Sequence, residues 1–493
     1  MTLIFSGNNF KYELEAVCKL FFPVESFNFV FSDDSAQSNF KPDGDYCFIC
    51  RIKGLKSTML SVFTSVNGRG VSEYERIVND SESYEDDCEF ALGRLLYKSL
   101  SKNTGIVPEW GVLTGVRPVK LINKLRGEGL SFDEISEHLK SKYLVTDQKI
   151  RIGYETAVNQ DSVINEMPSN SYSLYVSIPF CPTRCSYCSF ISQTVSSFKK
   201  LMPEYVDKLC EEIRYTADLL RSKGIILDSV YFGGGTPTSL EASDIDRIMK
   251  VVSESFDMSR IREYTVEAGR PDTITKEKLD VIKKNGGTRV SINPQTIHQS
   301  VLDAIGRRHT VEQFYSSFEI AKEADFREIN VDLIAGLPTD TLDGFKESVE
   351  SVIGLQPENI TVHALSIKRA SDLMKSYDFT KEVVAEDMIR YATSRLLESG
   401  YSPYYLYRQK NQVGNQENIG WTKPGGAGIY NINIMEEVQT IIAVGAGATT
   451  KIVGKEMERF YNPKYPLDYI KSFETVLNRK ASAAALISDN EEE

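Results

Sequence analysis

Apolar residues in the middle of the chain come in short runs that alternate with longer amphipathic stretches. The runs "LYVSIP", "SVYFGG", "EYTVEA", "RVSINP", "INVDLIAG" and "NITVHALS" are too short for helices and rich in β-branched residues, so they read as buried strands. Between them the pattern takes a helical period, over 203–222, 242–256, 275–285, 311–324 and 341–355, with a further helix at 378–399. Strand and helix repeated in this way predict α/β architecture, a parallel sheet with helices outside it. Six units are too few for an eight-fold barrel, so the count predicts a partial, TIM-like (β/α)6 barrel over 172–370. In such folds the chemistry gathers at the C-terminal strand ends.

The flanks differ. Residues 1–165 mix strand-like runs such as "STMLSVFTSV" with helical ones such as "SFDEISEHLKSKY", which predicts an N-terminal α+β accessory domain. "QDSVINEMPSNSYS" is rich in Ser, Asn and Pro and reads as a linker. Residues 371–485 are rich in Tyr, Gly and Asn and are expected to pack on the barrel as a C-terminal lobe. The acidic end, 486–493, reads as disordered.

Composition narrows the class. At 41% hydrophobic and 26% charged, the 493 residues suit a soluble globular protein. A net charge of -12 makes nucleic acid or an anionic membrane an unfavourable general partner. No apolar run approaches the ~20 residues that span a bilayer, and the N-terminus lacks a signal-peptide pattern, so the expected location is cytoplasmic. Eight cysteines in so long a chain form no disulfide framework. Cys18, Cys88 and Cys210 are expected as buried thiols. Cys47 and Cys50 form a C-x-x-C on a strand, where residues three apart face opposite ways, so a shared metal is not expected.

The other three cysteines, in "CPTRCSYC", follow the first barrel strand directly. Three thiolates on one loop can hold three corners of a [4Fe–4S] cubane, a cluster usually held by four. The fourth iron is then open to a small ligand. Zinc would want a fourth Cys or His in the loop, and none stands there.

The spacing C-x-x-x-C-x-x-C after a strand, with Tyr187 before the last cysteine, resembles the radical SAM superfamily. The resemblance implies that Cys181, Cys185 and Cys188 bind the cluster and that S-adenosylmethionine takes the open iron. The reduced cluster then cleaves the cofactor to a 5′-deoxyadenosyl radical. "GGGTPT", "VEAGRP", "SINPQT", "GRRHT" and "VDLIAGLP" follow at successive strand ends and resemble the oxygen-independent coproporphyrinogen III oxidase-like branch. That likeness implies a cofactor pocket made by Tyr175, Tyr187, Gly234, Gly235, Thr236, Glu267, Gln295, Arg307 and Asp332. Further stretches, "GVLTGVRPVKLINKLRGEG", "GIYNINIMEE" and "VGAGATTK", resemble the HemZ type within this branch.

Two positions depart from the oxidase pattern. Ser189 and Phe190 follow the triplet where the oxidase carries another cysteine, and Ser177 precedes "IPFC" where relatives often have His. The resemblance implies oxidative decarboxylation of coproporphyrinogen III to protoporphyrinogen IX in haem biosynthesis, with a flavodoxin or ferredoxin as electron donor. The alternatives are a haem-binding or trafficking protein of the same branch, and a radical SAM enzyme with another substrate such as RNA. A porphyrinogen carries carboxylates, for which Arg308, Lys368, Arg369 and Arg408 are candidate partners, with Tyr404, Tyr405 and Tyr407 as further donors. Arg117, Lys120, Lys124 and Arg126 form a basic element around Pro118, expected as a solvated helix face.

Overall fold

The computed structural model describes every residue except 24, 33–42, 79–82, 189–192, 368–372, 374–381, 410–411 and 488–493. Of the candidates above, Ser189, Phe190, Lys368 and Arg369 lie outside the described residues, as does most of the acidic end. The chain divides into two compact units, Met1–Tyr154 and Glu155–Glu493.

The first unit holds strands β1 (Thr2–Ser6), β2 (Asn28–Ser32), β3 (Tyr46–Lys53), β4 (Ser57–Val66) and β5 (Arg69–Val78), in spatial order β2-β1-β3-β4-β5. β2, β1 and β3 are parallel, whereas β3, β4 and β5 form an antiparallel meander. β4 alternates strictly, burying Thr58, Leu60, Val62, Thr64 and Val66. The helix Tyr84–Thr104 contributes Cys88, Ala91, Leu92, Leu95 and Leu96 to the same core. Cys47 joins that core beside Cys18, while Cys50 is hydrogen-bonded to Ser6 and Ser61. Helix Pro118–Gly127 starts at its proline and buries Val119, Ile122 and Leu125, which leaves Lys124 on the solvent side.

The second unit is built on one eleven-stranded sheet. β6 (Ser171–Ile178) is followed by the two-residue strands β7 (Phe180–Cys181) and β8 (Gln193–Thr194), which pair with each other. Then come β9 (Ile226–Gly234), β10 (Glu263–Glu267), β11 (Arg289–Ser291), β12 (Glu328–Ala335) and β13 (Asn359–Ala364). β6 and β9 to β13 run parallel in sequence order, the six strands expected of the partial barrel. Helices Met202–Leu220, Ala242–Ser255, Lys276–Lys284, Val311–Glu323 and Leu342–Leu355 fill the crossovers, within two residues of their predicted ends. Val176, Val230, Val266, Val290, Val331 and Val362 are buried along the strands.

The C-terminal chain continues this sheet at both edges. β14 (Ser402–Tyr407) and β15 (Asn418–Thr422) extend it antiparallel beyond β13. β16 (Thr440–Val444) lies parallel to β6, with β17 (Thr449–Ile452) and β18 (Glu458–Tyr461) beyond it. The expected lobe thus takes the form of added strands. One sequence expectation needs correcting. "QDSVIN", read as linker, ends the helix Asp147–Asn165, because Val163 packs with Tyr404, Tyr405, Ile429 and Ile432. Its polar neighbours are also engaged, Asn159 donating to the Pro403 carbonyl and Gln160 to Glu436. Polar composition signals a loop only when those side chains lack tertiary partners.

A buried charged cluster ties the C-terminal chain to the barrel strands. Arg289 lies 3.3 Å from Glu328 and donates to the Tyr404 hydroxyl at 3.1 Å. Glu263 accepts from the Ile429 and Tyr430 amides at 2.6 and 3.3 Å, at the start of helix Ile429–Glu436. That helix brings Asn431 and Met435 to the cavity described next.

Candidate active site

A cavity of about 350 Å³ opens at the C-terminal ends of the barrel strands. It begins with the cysteine loop. β6 ends at Ile178, and the chain turns through Phe180 into Cys181, Cys185 and Cys188. The loop is held by backbone bonds, Ser186 N to Ile305 O at 3.0 Å and Cys188 N to Cys185 O at 3.1 Å.

The glycine motif braces the loop from the next strand. Gly235 donates its amide to Ile178 O, and Thr236 donates to Phe180 O, both at 2.7 Å. A Cβ at Gly235 would stand 2.5 Å from the Phe180 carbonyl oxygen, so only glycine fits there. Gly234 has φ +107°, a conformation that also favours glycine. In the structure the Gly235 and Thr236 amides brace the cysteine loop, and Gly234, Gly235 and Thr236 all line the cavity.

Two arginines flank the triplet. Arg270 Nη1 lies 3.9 Å from Cys185 Sγ, and Arg307 Nη1 lies 4.0 Å from it. Arg270 is fixed by two bonds to Asp272, at 2.9 and 2.7 Å. Arg307 donates to the Tyr187 hydroxyl at 3.2 Å and to the carbonyls of Gly269 and Asn293. Both side chains are almost fully buried, which puts fixed positive charge where the negative charge of a ligated cluster would fall. Among the described residues, no three His, Cys, Asp or Glu converge as ligands of a single ion. A cubane asks for something different, since each of three irons takes its own thiolate.

The opposite wall is carboxylate-bearing. Glu267, at the end of β10, accepts from the Tyr231 hydroxyl. Burial pushes its pKa up to about 7, against the Tyr231 bond that lowers it and with the Asp332 charge that raises it. Asp332 on β12 behaves oppositely. Burial raises its pKa, but hydrogen bonds with His363, Asn330 and Thr361 outweigh this and hold it below the usual carboxylate value. Gln295 sits between these elements at φ +72°, a strained setting for a non-glycine residue. Its amide donates to Asp332 O and its carbonyl accepts from Ile334 N, both at 3.0 Å. Its side-chain carbonyl is buried with no hydrogen-bond partner, as is Nε of Arg307. Unsatisfied buried polar atoms beside two carboxylates suit a polar, cationic ligand, which S-adenosylmethionine is.

Eleven of the twelve site residues expected from sequence therefore line one cavity; Tyr175 is the one outside the lining. Tyr175 stacks instead on Tyr231 and Tyr430, at centroid distances of 6.1 and 5.9 Å. Of the substrate candidates, Tyr405 and Tyr407 line the cavity. Tyr404 and Arg408 are buried outside its lining and Arg308 is solvent-exposed. The cavity also contains residues the sequence reading passed over: Tyr231, Arg270, Asn293, Asn330 and His363. Their signal lay in the strand-end stretches themselves, since each sits within or just beyond a barrel strand.

Residues 175–352 match the model of the radical SAM superfamily. The protein is also similar to the oxygen-independent coproporphyrinogen-III oxidase-like protein HemZ of Bacillus subtilis, at 38% identity over 85% of this chain and 87% of that one. It is 29% identical to the heme chaperone HemW of Lactococcus lactis over 57% of this chain and 70% of the other. Among solved structures, coproporphyrinogen III oxidase (HemN) from Escherichia coli shares the fold, with a TM-score of 0.52 and 23% identity over 65% of this chain and 73% of that one. Fold and site together define a radical SAM protein, whose cofactors are a [4Fe–4S] cluster and S-adenosylmethionine. Within that superfamily the chain belongs to the oxygen-independent coproporphyrinogen III oxidase-like family, alongside HemZ. Among the described residues no helix is long and apolar enough to cross a membrane.

Proposed function

We propose that this radical SAM protein catalyses oxygen-independent oxidative decarboxylation of coproporphyrinogen III to protoporphyrinogen IX, with reducing electrons from a flavodoxin- or ferredoxin-type donor. The observation that carries the reading is the joining of two features in one cavity. The cysteine triplet forms one side, and a broad wall of neutral hydrogen-bonding groups forms another, including Tyr405, Tyr407, Gln409, Asn418 and Asn431 from the C-terminal chain. Near-full-length similarity to a coproporphyrinogen-III oxidase-like protein supports the same substrate class.

Each group in the cavity has a part in this reading. Cys181, Cys185 and Cys188 hold the cluster, and Arg270 and Arg307 balance its charge. Glu267, Gln295 and Asp332 orient S-adenosylmethionine. Cluster and cofactor together supply hydrogen-atom abstraction at an unactivated carbon, which is the demand of a propionate β-position. Tyr405 and Tyr407 offer flat apolar surface with hydroxyl tips, suited to a tetrapyrrole. Burial raises both phenols, so they act as neutral donors.

The test is anaerobic. Cluster-loaded protein receives reductant, S-adenosylmethionine and coproporphyrinogen III. The expected result is loss of two carboxyl groups with formation of 5′-deoxyadenosine. Cofactor cleavage without a porphyrin product would move the substrate elsewhere. Similarity to HemW makes haem binding the second reading, and tight stoichiometric haem uptake without either product would favour it.

A further inference from the structure

The cavity's basic side chains divide into two sets. Among the described lining residues three are basic: Arg270, Arg307 and His363. The first two are occupied. Arg270 is bidentate to Asp272 and bonded to Thr183, and Arg307 spans Tyr187 and two backbone carbonyls. Both stand at the cysteine loop, beside Cys185.

His363 stands on the other side. It belongs to β13, in the parallel ladder beside β12, and faces the cavity next to Asp332. Its Nε2 lies 3.6 Å from Asp332 Oδ2, and the two side chains are 27% and 18% exposed, which leaves the ring open to a ligand. Asp332 is itself oriented by Asn330, whose Nδ2 donates to Oδ1 at 2.7 Å. Glu267 stands near this pair, and the other described groups beside it are neutral. Tyr405 shares a hydrogen bond with Thr361 at 3.2 Å, and Asn418 accepts from the Ala364 amide at 3.1 Å. Among the described residues of this wall, a tetra-acid meets two carboxylates, Glu267 and Asp332, and one basic side chain, His363.

Resting on the coproporphyrinogen reading, we propose that His363 is the substrate-carboxylate receptor of the cavity, a specificity residue that presents a ring N–H to one propionate while Asp332 orients the ring. Loss of such a hydrogen bond to a carboxylate in a confined site lowers affinity about tenfold, or ~1.4 kcal/mol. The role deepens the proposed function by adding a substrate contact beside Asp332, the carboxylate that also faces the cofactor.

The test uses cluster-loaded full-length protein without reductant, titrated with coproporphyrin III, the oxidised and unreactive tetra-acid, and followed by its absorption band. His363→Gln should weaken tetra-acid binding about tenfold. It should leave binding of the tetramethyl ester as in wild type. His363→Lys, which keeps an N–H donor at the position, should restore tetra-acid affinity to within about threefold of wild type. Unchanged tetra-acid affinity in His363→Gln overturns the assignment. If wild type binds no tetra-acid at all, the substrate reading falls and the assignment falls with it.

Discussion

Gly235 sits where two backbone segments nearly touch, so the smallest possible enlargement tests the architecture of the cysteine loop. In Gly235→Ala the new methyl would stand 2.5 Å from the Phe180 carbonyl oxygen and 2.8 Å from its nitrogen. Both are main-chain atoms, and no side chain can swing aside to relieve the overlap. Relief requires the glycine segment to move away from Phe180. That movement stretches two short hydrogen bonds, Gly235 N to Ile178 O and Thr236 N to Phe180 O, each 2.7 Å. Overpacking of this kind costs ~1–3 kcal/mol. The two weakened bonds add ~0.5–1.5 kcal/mol each. The expected loss is therefore about 2–6 kcal/mol. It falls on the residues that aim Cys181, whose sulfur lies 3.4 Å from Thr236 Oγ1.

Two measurements follow for this variant. Urea unfolding can be read from the emission of Trp421, buried in β15, in a Trp110→Phe background. The midpoint should fall, and iron bound per chain after anaerobic reconstitution should fall with it. Gly354→Ala is the control, because nothing lies within 4 Å of its added methyl and the site is inside helix Leu342–Leu355. It should be neutral or stabilising by ~0.5–1 kcal/mol. A Gly235→Ala protein with the wild-type midpoint and full iron content would refute the claim that the glycine motif braces the loop.

Further outcomes follow from the same geometry. Cys185→Ala should abolish cluster assembly, read as iron and sulfide content, while circular dichroism stays unchanged. Arg289→Met leaves Glu263 and Glu328 buried without their shared cation, so the second unit should lose ~3–5 kcal/mol in urea unfolding. Glu267 is protonated in folded and unfolded states alike below its ordinary value of 4.5, and its folded value is about 7. As pH rises between those values the unfolded chain gives up the proton first, so stability falls across that window. In Glu267→Gln this loss is missing, and the variant's advantage over wild type should grow up to about pH 7 and then level off.

The parallel strands were legible because burial on both faces writes a continuous apolar run, as in "INVDLIAG", and the strand-end motifs came in a fixed order. What stayed hidden depends on distance in space. Nothing local to Thr440–Val444 shows that it pairs with β6, hundreds of residues earlier in the chain. Arg270 stands three residues after Glu267, yet its place at Cys185 depends on how two loops meet. His363 occupies an ordinary strand position, and its importance rests on Asp332 across the ladder. Tyr175 is stacked on Tyr231 and Tyr430, a grouping of rings far apart in the chain that only the fold brings together.

The central claim is that three cysteines hold a cubane with one iron free for S-adenosylmethionine. Electron paramagnetic resonance of the reduced, reconstituted protein tests it most directly. The account predicts a [4Fe–4S] signal whose g-values change when S-adenosylmethionine is added. A signal that is indifferent to the cofactor, or a protein that takes up zinc and builds no cluster, would contradict it.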